Sequence, residues 1–101
     1  MLNYFGQVKV EGIPLKVHTA MYANKRLAVV VTTNSGEPWA RLSVNLPNAN
    51  IQRGEFAFDA PKHSEVARDY LKSGFFKETG RYEMSGYCCY PIWELQAVPS
   101  E

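Results

Sequence analysis

The sequence has few cysteines, almost no net charge and no long apolar segment. Its 101 residues include two cysteines, too few for the disulfide framework of a small secreted domain. Eleven basic residues against ten acidic ones leave a net charge of +1, and the signs alternate along the chain. The longest apolar run, residues 27–31, is far shorter than a membrane span. These absences argue against a disulfide scaffold, a membrane protein and a nucleic-acid partner.

The length is typical of one folding unit. We expect a single domain over residues 1–96 and a flexible tail over residues 97–101. The N-terminal residues lack the basic region and apolar run of a secretory signal. The sequence therefore predicts a protein of the cytoplasm.

The first half of the chain has the period-2 alternation of strands. Apolar residues alternate over residues 4–10 and 15–21, while residues 27–31 are apolar on both faces. The clearest alternation covers residues 39–46, where Ala40, Leu42, Val44 and Leu46 oppose Trp39, Arg41, Ser43 and Asn45. Turn residues separate these segments. This pattern predicts an antiparallel meander.

The second half changes period. A short strand over residues 55–59 precedes a helix over residues 65–73, with Ser64 as its N-cap and Gly74 just beyond its C-terminus. A turn at Gly80 leads to a final strand over residues 86–96, where Pro91 indicates an edge or a bulge. The fold class we expect is α+β, with an antiparallel meander sheet of about five to six strands and one short helix on one face.

No catalytic or metal-binding pattern stands out. Cys88 and Cys89 are adjacent on a strand and point to opposite faces, so they are poorly placed to hold one metal ion. His18 and His63 belong to separate elements and lack metal-ligand spacing. We expect no enzyme activity, no cofactor and no metal site.

The aromatic content, 13% of residues, is the feature that rises above background. Strand alternation places part of it on an open sheet face. Aromatic residues and arginine carry most of the binding energy at protein interfaces. We therefore predict a partner-binding set that comprises Trp39, Arg41, His18, Lys16, Phe5 and Tyr90. The alternative is that Trp39 and Phe5 cap a sheet edge, or fill a second small core under the loop over residues 47–53.

Several short segments resemble a known family. They are Leu42-Ser43-Val44-Asn45-Leu46-Pro47, Glu55-Phe56-Ala57-Phe58, Tyr70-Leu71-Lys72-Ser73-Gly74, Thr79-Gly80-Arg81 and Ser85-Gly86-Tyr87. Together they resemble a family of small domain-of-unknown-function proteins carried on bacterial plasmids, conjugative elements and phages. The resemblance spans a little over half the chain. It implies a mobile-element context and transfers no catalytic residues.

These observations favour a non-enzymatic accessory protein of a bacterial mobile element that binds a host protein. An inhibitor of host defence, such as an anti-CRISPR or anti-restriction protein, fits that context. Two alternatives stay open. One is a single-stranded nucleic-acid binder in which Trp39, Tyr87, Tyr90 and Trp93 stack bases. The other is a homodimer that associates through the terminal strand.

Overall fold

A computed structural model describes residues 2–96, so the tail over residues 97–101 lies outside the described residues. In this part of the chain, eight strands and a short helical segment form an α+β fold, and the predicted class is confirmed. The strands are β1 (Asn3–Val10), β2 (Ile13–Met21), β3 (Leu27–Thr33), β4 (Pro38–Arg41), β5 (Ser43–Val44), β6 (Glu55–Phe58), β7 (Phe76–Ser85) and β8 (Cys88–Leu95). The helical segment consists of α1 (Ala60–His63), a 3₁₀ turn (Ser64–Val66) and α2 (Ala67–Lys72).

The first sheet is the predicted meander. Its strand order is β1-β2-β3-β4, and every neighbouring pair is antiparallel. One face of β2 and β3 buries Leu15, Val17, Val29 and Val31. The alternation of these residues with Lys16, His18 and Val30 is the reason the segment forms a half-buried sheet.

The second sheet has the order β5-β6-β8-β7 and is also antiparallel. It is joined to the first sheet at Leu42, which is fully buried between β4 and β5. The Leu42 N–H donates to the carbonyl of Val29 at 2.9 Å, and its carbonyl accepts from the N–H of Asp59 at 2.8 Å. Leu42 thus bonds to β3 of the first sheet and to the residue that directly follows β6 of the second. The predicted strand over residues 39–46 is divided at Leu42 into two.

The main core lies between the two sheets and the helical segment. It is dominated by aromatic residues from the second sheet, including Phe56, Phe58 and Trp93. The Trp93 ring stacks on the Phe58 ring with centroids 3.8 Å apart and planes at 4°. The helical segment adds Tyr70, which is 1% exposed. Each of these large side chains contributes roughly 1.5–3 kcal/mol through burial.

A second, smaller core covers the outer face of the second sheet. Leu46, Ala57 and Ile92 are buried there, with Ile51 packed against them from the loop over residues 45–54. The Arg26 guanidinium ties this loop down by donating to the main-chain carbonyls of residues 47, 49 and 51 at 2.7–3.1 Å. A second core under this loop was one predicted arrangement, but neither Trp39 nor Phe5 belongs to it.

The helical segment begins earlier than predicted. It starts at Ala60 with Pro61 in the first turn, and the predicted Ser64 cap is wrong because Ser64 lies inside the segment. Pro61 suits a helix start because its missing N–H has no intrahelical partner at that position. The C-terminus is as predicted: Gly74 follows α2 with φ of +83°.

The terminal hairpin departs most from expectation. Residues 76–85 form one long strand, and the predicted turn at Gly80 is a register irregularity between Glu78 and Tyr82 within it. Pro91 lies opposite Tyr82, beside that irregularity, where a missing N–H is tolerated. Because β8 pairs with β6 on one side and β7 on the other, the terminal strand is not a sheet edge.

Candidate functional site

The outer side of the first sheet forms an open face, and its register brings predicted residues together. In a row across four strands, Tyr4 lies opposite His18, His18 opposite Val30, and Val30 opposite Arg41. Directly opposed residues of antiparallel strands point to the same face. His18 and Arg41 therefore share this face, as the sequence predicted.

A second row runs beside the first. Gln7 lies opposite Lys16, Lys16 opposite Thr32, and Thr32 opposite Pro38. The two rows are linked by the His18 ring, whose Nε2 lies 2.8 Å from the Thr32 hydroxyl. The same ring packs edge-to-face with Tyr4, with centroids 5.9 Å apart. These contacts hold the centre of the face in one arrangement, with Lys16 beside it.

Trp39 lies where the pairing of β3 with β4 shifts register. Its side chain is 46% exposed, which is unusual for the largest apolar residue. Together with Leu2, Val30 and Pro38 it lines a shallow groove of about 480 Å³. The groove is mainly apolar, and Arg41 stands at its border. Trp39 and Arg41 are thus adjacent features of one surface.

Phe5 is not on this face, so its predicted placement there is wrong. The register of β1 shifts between Tyr4 and Gly6, and this irregularity turns Phe5 toward the main core. The Phe5 ring packs edge-to-face on Phe75, with centroids 5.2 Å apart. The aromatic residue that β1 presents to the open face is Tyr4, which is 60% exposed.

The open face carries a local positive charge that the overall composition conceals. Alternation along β1 adds exposed Lys9 to Lys16 and Arg41. Among the described residues that the register assigns to this face, none is aspartate or glutamate. Glu11 and Glu37 lie in the flanking turn and loop, and Asp69 of α2 lines a shallow cavity together with Gln7 and Lys9 at the border of the face. A chain with nearly equal numbers of basic and acidic residues thus has one face with an excess of positive charge.

Tyr90 lies apart from the open face, in a second cavity of about 480 Å³. This cavity is found where β6 ends and α1 begins, and it is lined in part by Asp59, Lys62 and His63. Arg41 lines both this cavity and the groove beside Trp39, so the two are adjacent. The neighbouring Cys88 thiol, then burial and the Asp59 charge, raise the pKa of Tyr90. Its hydroxyl is therefore protonated at neutral pH.

Hydrogen bonds fix the walls of this cavity. The Tyr22 hydroxyl lies 2.9 Å from the Ser43 hydroxyl, whose oxygen also accepts from the N–H of Val29 at 3.0 Å. On the opposite wall the His63 Nε2 donates to the carbonyl of Arg41 at 3.2 Å. The bond requires the proton on Nε2, because a carbonyl only accepts.

Sequence reasoning missed several side chains, among them Tyr4, Lys62 and His63. Tyr4 could be placed only with knowledge of the irregularity in β1. Lys62 and His63 directly precede the predicted helix, and nothing local indicates that this segment meets Arg41. His63 and Arg41 are 22 positions apart in the sequence. The short strand predicted before the helix is the one sequence feature that indicates a contact between them.

Other chemical groups show no further constellation. Both cysteines are free thiols, with Cys88 half-buried and Cys89 exposed. Across residues 2–96 no group of three or more His, Cys, Asp or Glu residues is arranged to hold a metal ion. No helix within that range has the length and hydrophobicity required to cross a membrane.

The chain was compared with models of protein families, with curated protein sequences and with solved structures, and none of them matches it. The resemblance of residues 42–95 to a mobile-element family therefore stays a prediction.

Proposed function

We propose that this chain is a non-enzymatic protein-binding module and that its partner docks on the open face of the first sheet. The observation that supports this most is the exposure of Trp39 beside Arg41 and an apolar groove. Tryptophan, tyrosine and arginine are the residues that most often anchor interfaces. Tyr4, at the other end of the row, extends the same surface.

Charge indicates the chemistry of the partner. Lys9, Lys16 and Arg41 form no ion pair within residues 2–96, and Asp69 is the carboxylate that lies near Lys9. An acidic surface is therefore the complement that compensates the desolvation of these cations. Such complementarity raises the association rate and makes that rate fall with ionic strength. We propose a partner whose docking surface is acidic around an apolar centre.

The biological context of the proposal rests on the resemblance of residues 42–95 alone. In that context the partner is a host protein of the bacterium that carries the mobile element, and the complex forms in the cytoplasm. Inhibition of a host defence system, such as CRISPR or restriction, is the activity that this context favours.

A pair of matched double variants tests the docking face. Trp39→Ala/Arg41→Ala removes one exposed aromatic and one cation from the face. Tyr87→Ala/Lys77→Ala removes one aromatic and one cation from the hairpin of β7 and β8, where Lys77 lies on β7 and Tyr87 in the turn and both side chains are exposed. Each protein serves as bait in lysate of the encoding cell, and the Kd of any retained protein is then measured with purified components. Loss of binding in the first variant alone supports the proposal, and equal retention by both contradicts it.

Single-stranded nucleic acid is a second candidate because the open face combines three cations with exposed Tyr4 and Trp39. Bases stack on such rings without sequence preference. Trp93, one of the predicted stacking residues, is 1% exposed and cannot serve. Fluorescence anisotropy of a labelled oligonucleotide decides this: binding that weakens steeply with salt favours it, and no binding at low salt eliminates it.

Self-association is the remaining alternative. The predicted route uses the terminal strand, and residues 92–94 of β8 already pair with β6 on one side while β8 pairs with β7 on the other. The edge of that sheet is β7, which carries exposed Tyr82 and Met84. Light scattering at high protein concentration distinguishes a monomer from a dimer. A monomeric wild type eliminates self-association. A wild-type dimer that is lost in Tyr82→Ala/Met84→Ala supports an interface at β7.

A further inference from the structure

The cavity beyond Arg41 has a charge distribution of its own. Arg41 and Lys62 contribute two positive charges and Asp59 one negative charge, which leaves +1 while His63 is neutral. Within residues 2–96 the one ion pair joins Glu55 to Arg81. Neither Arg41 nor Lys62 therefore has a carboxylate of this part of the chain at ion-pair distance. A bound monoanion would supply that missing partner.

The size and linings of the cavity suit a small organic ligand. About 480 Å³ falls within the range of small-molecule sites, which are commonly 300–1,000 Å³. Val44 and the ring of Tyr90 offer apolar surface, while the Tyr90 hydroxyl and Asn45 offer polar groups. The hydrogen bonds from Tyr22 to Ser43 and from His63 to Arg41 hold the walls before any ligand arrives.

The carboxylate of Asp59 limits the chemical class of ligand that this cavity can bind. Among the described residues no side chain donates a hydrogen bond to its carboxylate, although it lines a cavity with two cations. It can therefore accept from a donor on the ligand. A second anionic charge on the ligand would be repelled by it, which disfavours a phosphate dianion relative to a carboxylate.

We propose that this cavity binds a carboxylate that has a hydrogen-bond donor on the first or second carbon beyond it. Arg41 and Lys62 hold the carboxylate, and Asp59 accepts from the donor. Two sources present this chemistry: a free α-hydroxy or α-amino acid, whose donor is on the first carbon, and an aspartate of a protein, whose main-chain N–H is on the second. The site goes beyond the docking face and shares only Arg41 with it.

The test is a titration of the full chain, labelled with ¹⁵N, followed by two-dimensional NMR. The probes are lactate, acetyl-aspartyl-amide, acetate and inorganic phosphate. We expect saturable shifts at the amides of residues 41, 59, 62 and 90 with lactate or acetyl-aspartyl-amide, and weaker binding of acetate. Selective binding of lactate identifies a free acid, and selective binding of acetyl-aspartyl-amide identifies an acidic residue of a protein.

Variants assign the roles. Lys62→Gln should weaken carboxylate binding by about tenfold, whereas the matched control Lys77→Gln on β7 should leave it unchanged. Asp59→Ala, which removes the acceptor, should remove the preference for lactate over acetate. The proposal is overturned if no carboxylate gives saturable shifts at the cavity, if phosphate binds more tightly than every carboxylate, or if Lys62→Gln and Lys77→Gln bind equally. Because Trp39 has no part in this test, its result is separable from that of the docking face.

Discussion

The Nε2–H of His63 donates a hydrogen bond to the main-chain carbonyl of Arg41 at 3.2 Å. This bond ties the start of the helical segment to the strand that carries the candidate interface. Removing it in His63→Ala should lower the free energy of unfolding by about 0.5–1.5 kcal/mol and shift the Arg41 amide signal. Urea unfolding and NMR measure the two effects, and an unmoved Arg41 signal would contradict the link.

Gly6 is required by the close approach of Phe75. A Cβ at residue 6 would overlap the Phe75 ring. Gly6→Ala should therefore destabilise the fold by about 1–3 kcal/mol, the usual effect of overpacking. Chemical unfolding measures the loss. Adding Phe75→Leu should recover part of it, and a single variant as stable as the wild type would show that the ring moves freely.

Glu55 links stability to acidic pH. Burial raises the pKa of Glu55, but hydrogen bonds from the Arg81 guanidinium and the Gln52 amide, with the Arg81 charge, bring the pKa below its ordinary value. A lowered folded-state pKa stabilises the protein above the unfolded pKa of about 4.3, and that stability is lost as pH falls through the folded value.

Glu55→Gln is the variant that isolates this effect. It should cost about 1–3 kcal/mol at neutral pH, because hydrogen bonds to a charged group are removed. Its unfolding free energy should also fall less than that of the wild type on acidification. Parallel pH profiles for the two proteins, measured by urea unfolding, would show that Glu55 does not carry the dependence.

Tyr70 links stability to alkaline pH. Burial, and then the Asp69 charge, raise the pKa of Tyr70 to about 12. A group with a raised folded-state pKa contributes stability that is present below its unfolded pKa of about 10 and is lost as pH rises toward 12. The wild type should lose about 2–3 kcal/mol over that range through this group. Tyr70→Phe should lose correspondingly less, and an equal loss in both proteins would refute the assignment.

The meander was predictable because its signal is local. Leu15 and Val17 alternate with Lys16 and His18, and a period of two places the first pair in the core and the second on the open face. The short turns between these segments then leave neighbours in sequence as neighbours in the sheet. The pairing of His18 with Arg41 across Val30 follows from the same alternation.

Register irregularities account for what sequence reasoning missed. One shift between Tyr4 and Gly6 exchanges the faces of Phe5 and Tyr4, and another within β7 makes the segment around Gly80 resemble a turn. The division at Leu42 depends on bonds to Val29, in the first sheet, and to Asp59, which directly follows β6 of the second sheet. Such long-range bonds leave no periodic trace in the sequence.

The cavity could not be predicted from the sequence, for a related reason. Lys62, Tyr90 and Arg41 come from three separate segments, and no one of these segments indicates in its own sequence that the three residues line one cavity. Only the tertiary arrangement makes them neighbours. The positive charge of the open face is likewise invisible in a composition with a net charge of +1.

The central claim is that a partner protein docks on the open face around Trp39. It is tested most directly by the Kd of the captured partner for the wild type, for Trp39→Ala/Arg41→Ala and for the matched Tyr87→Ala/Lys77→Ala. We predict that the first double variant weakens binding by at least about thirtyfold while the matched variant binds like the wild type. Unchanged affinity in a folded Trp39→Ala/Arg41→Ala protein would contradict the claim.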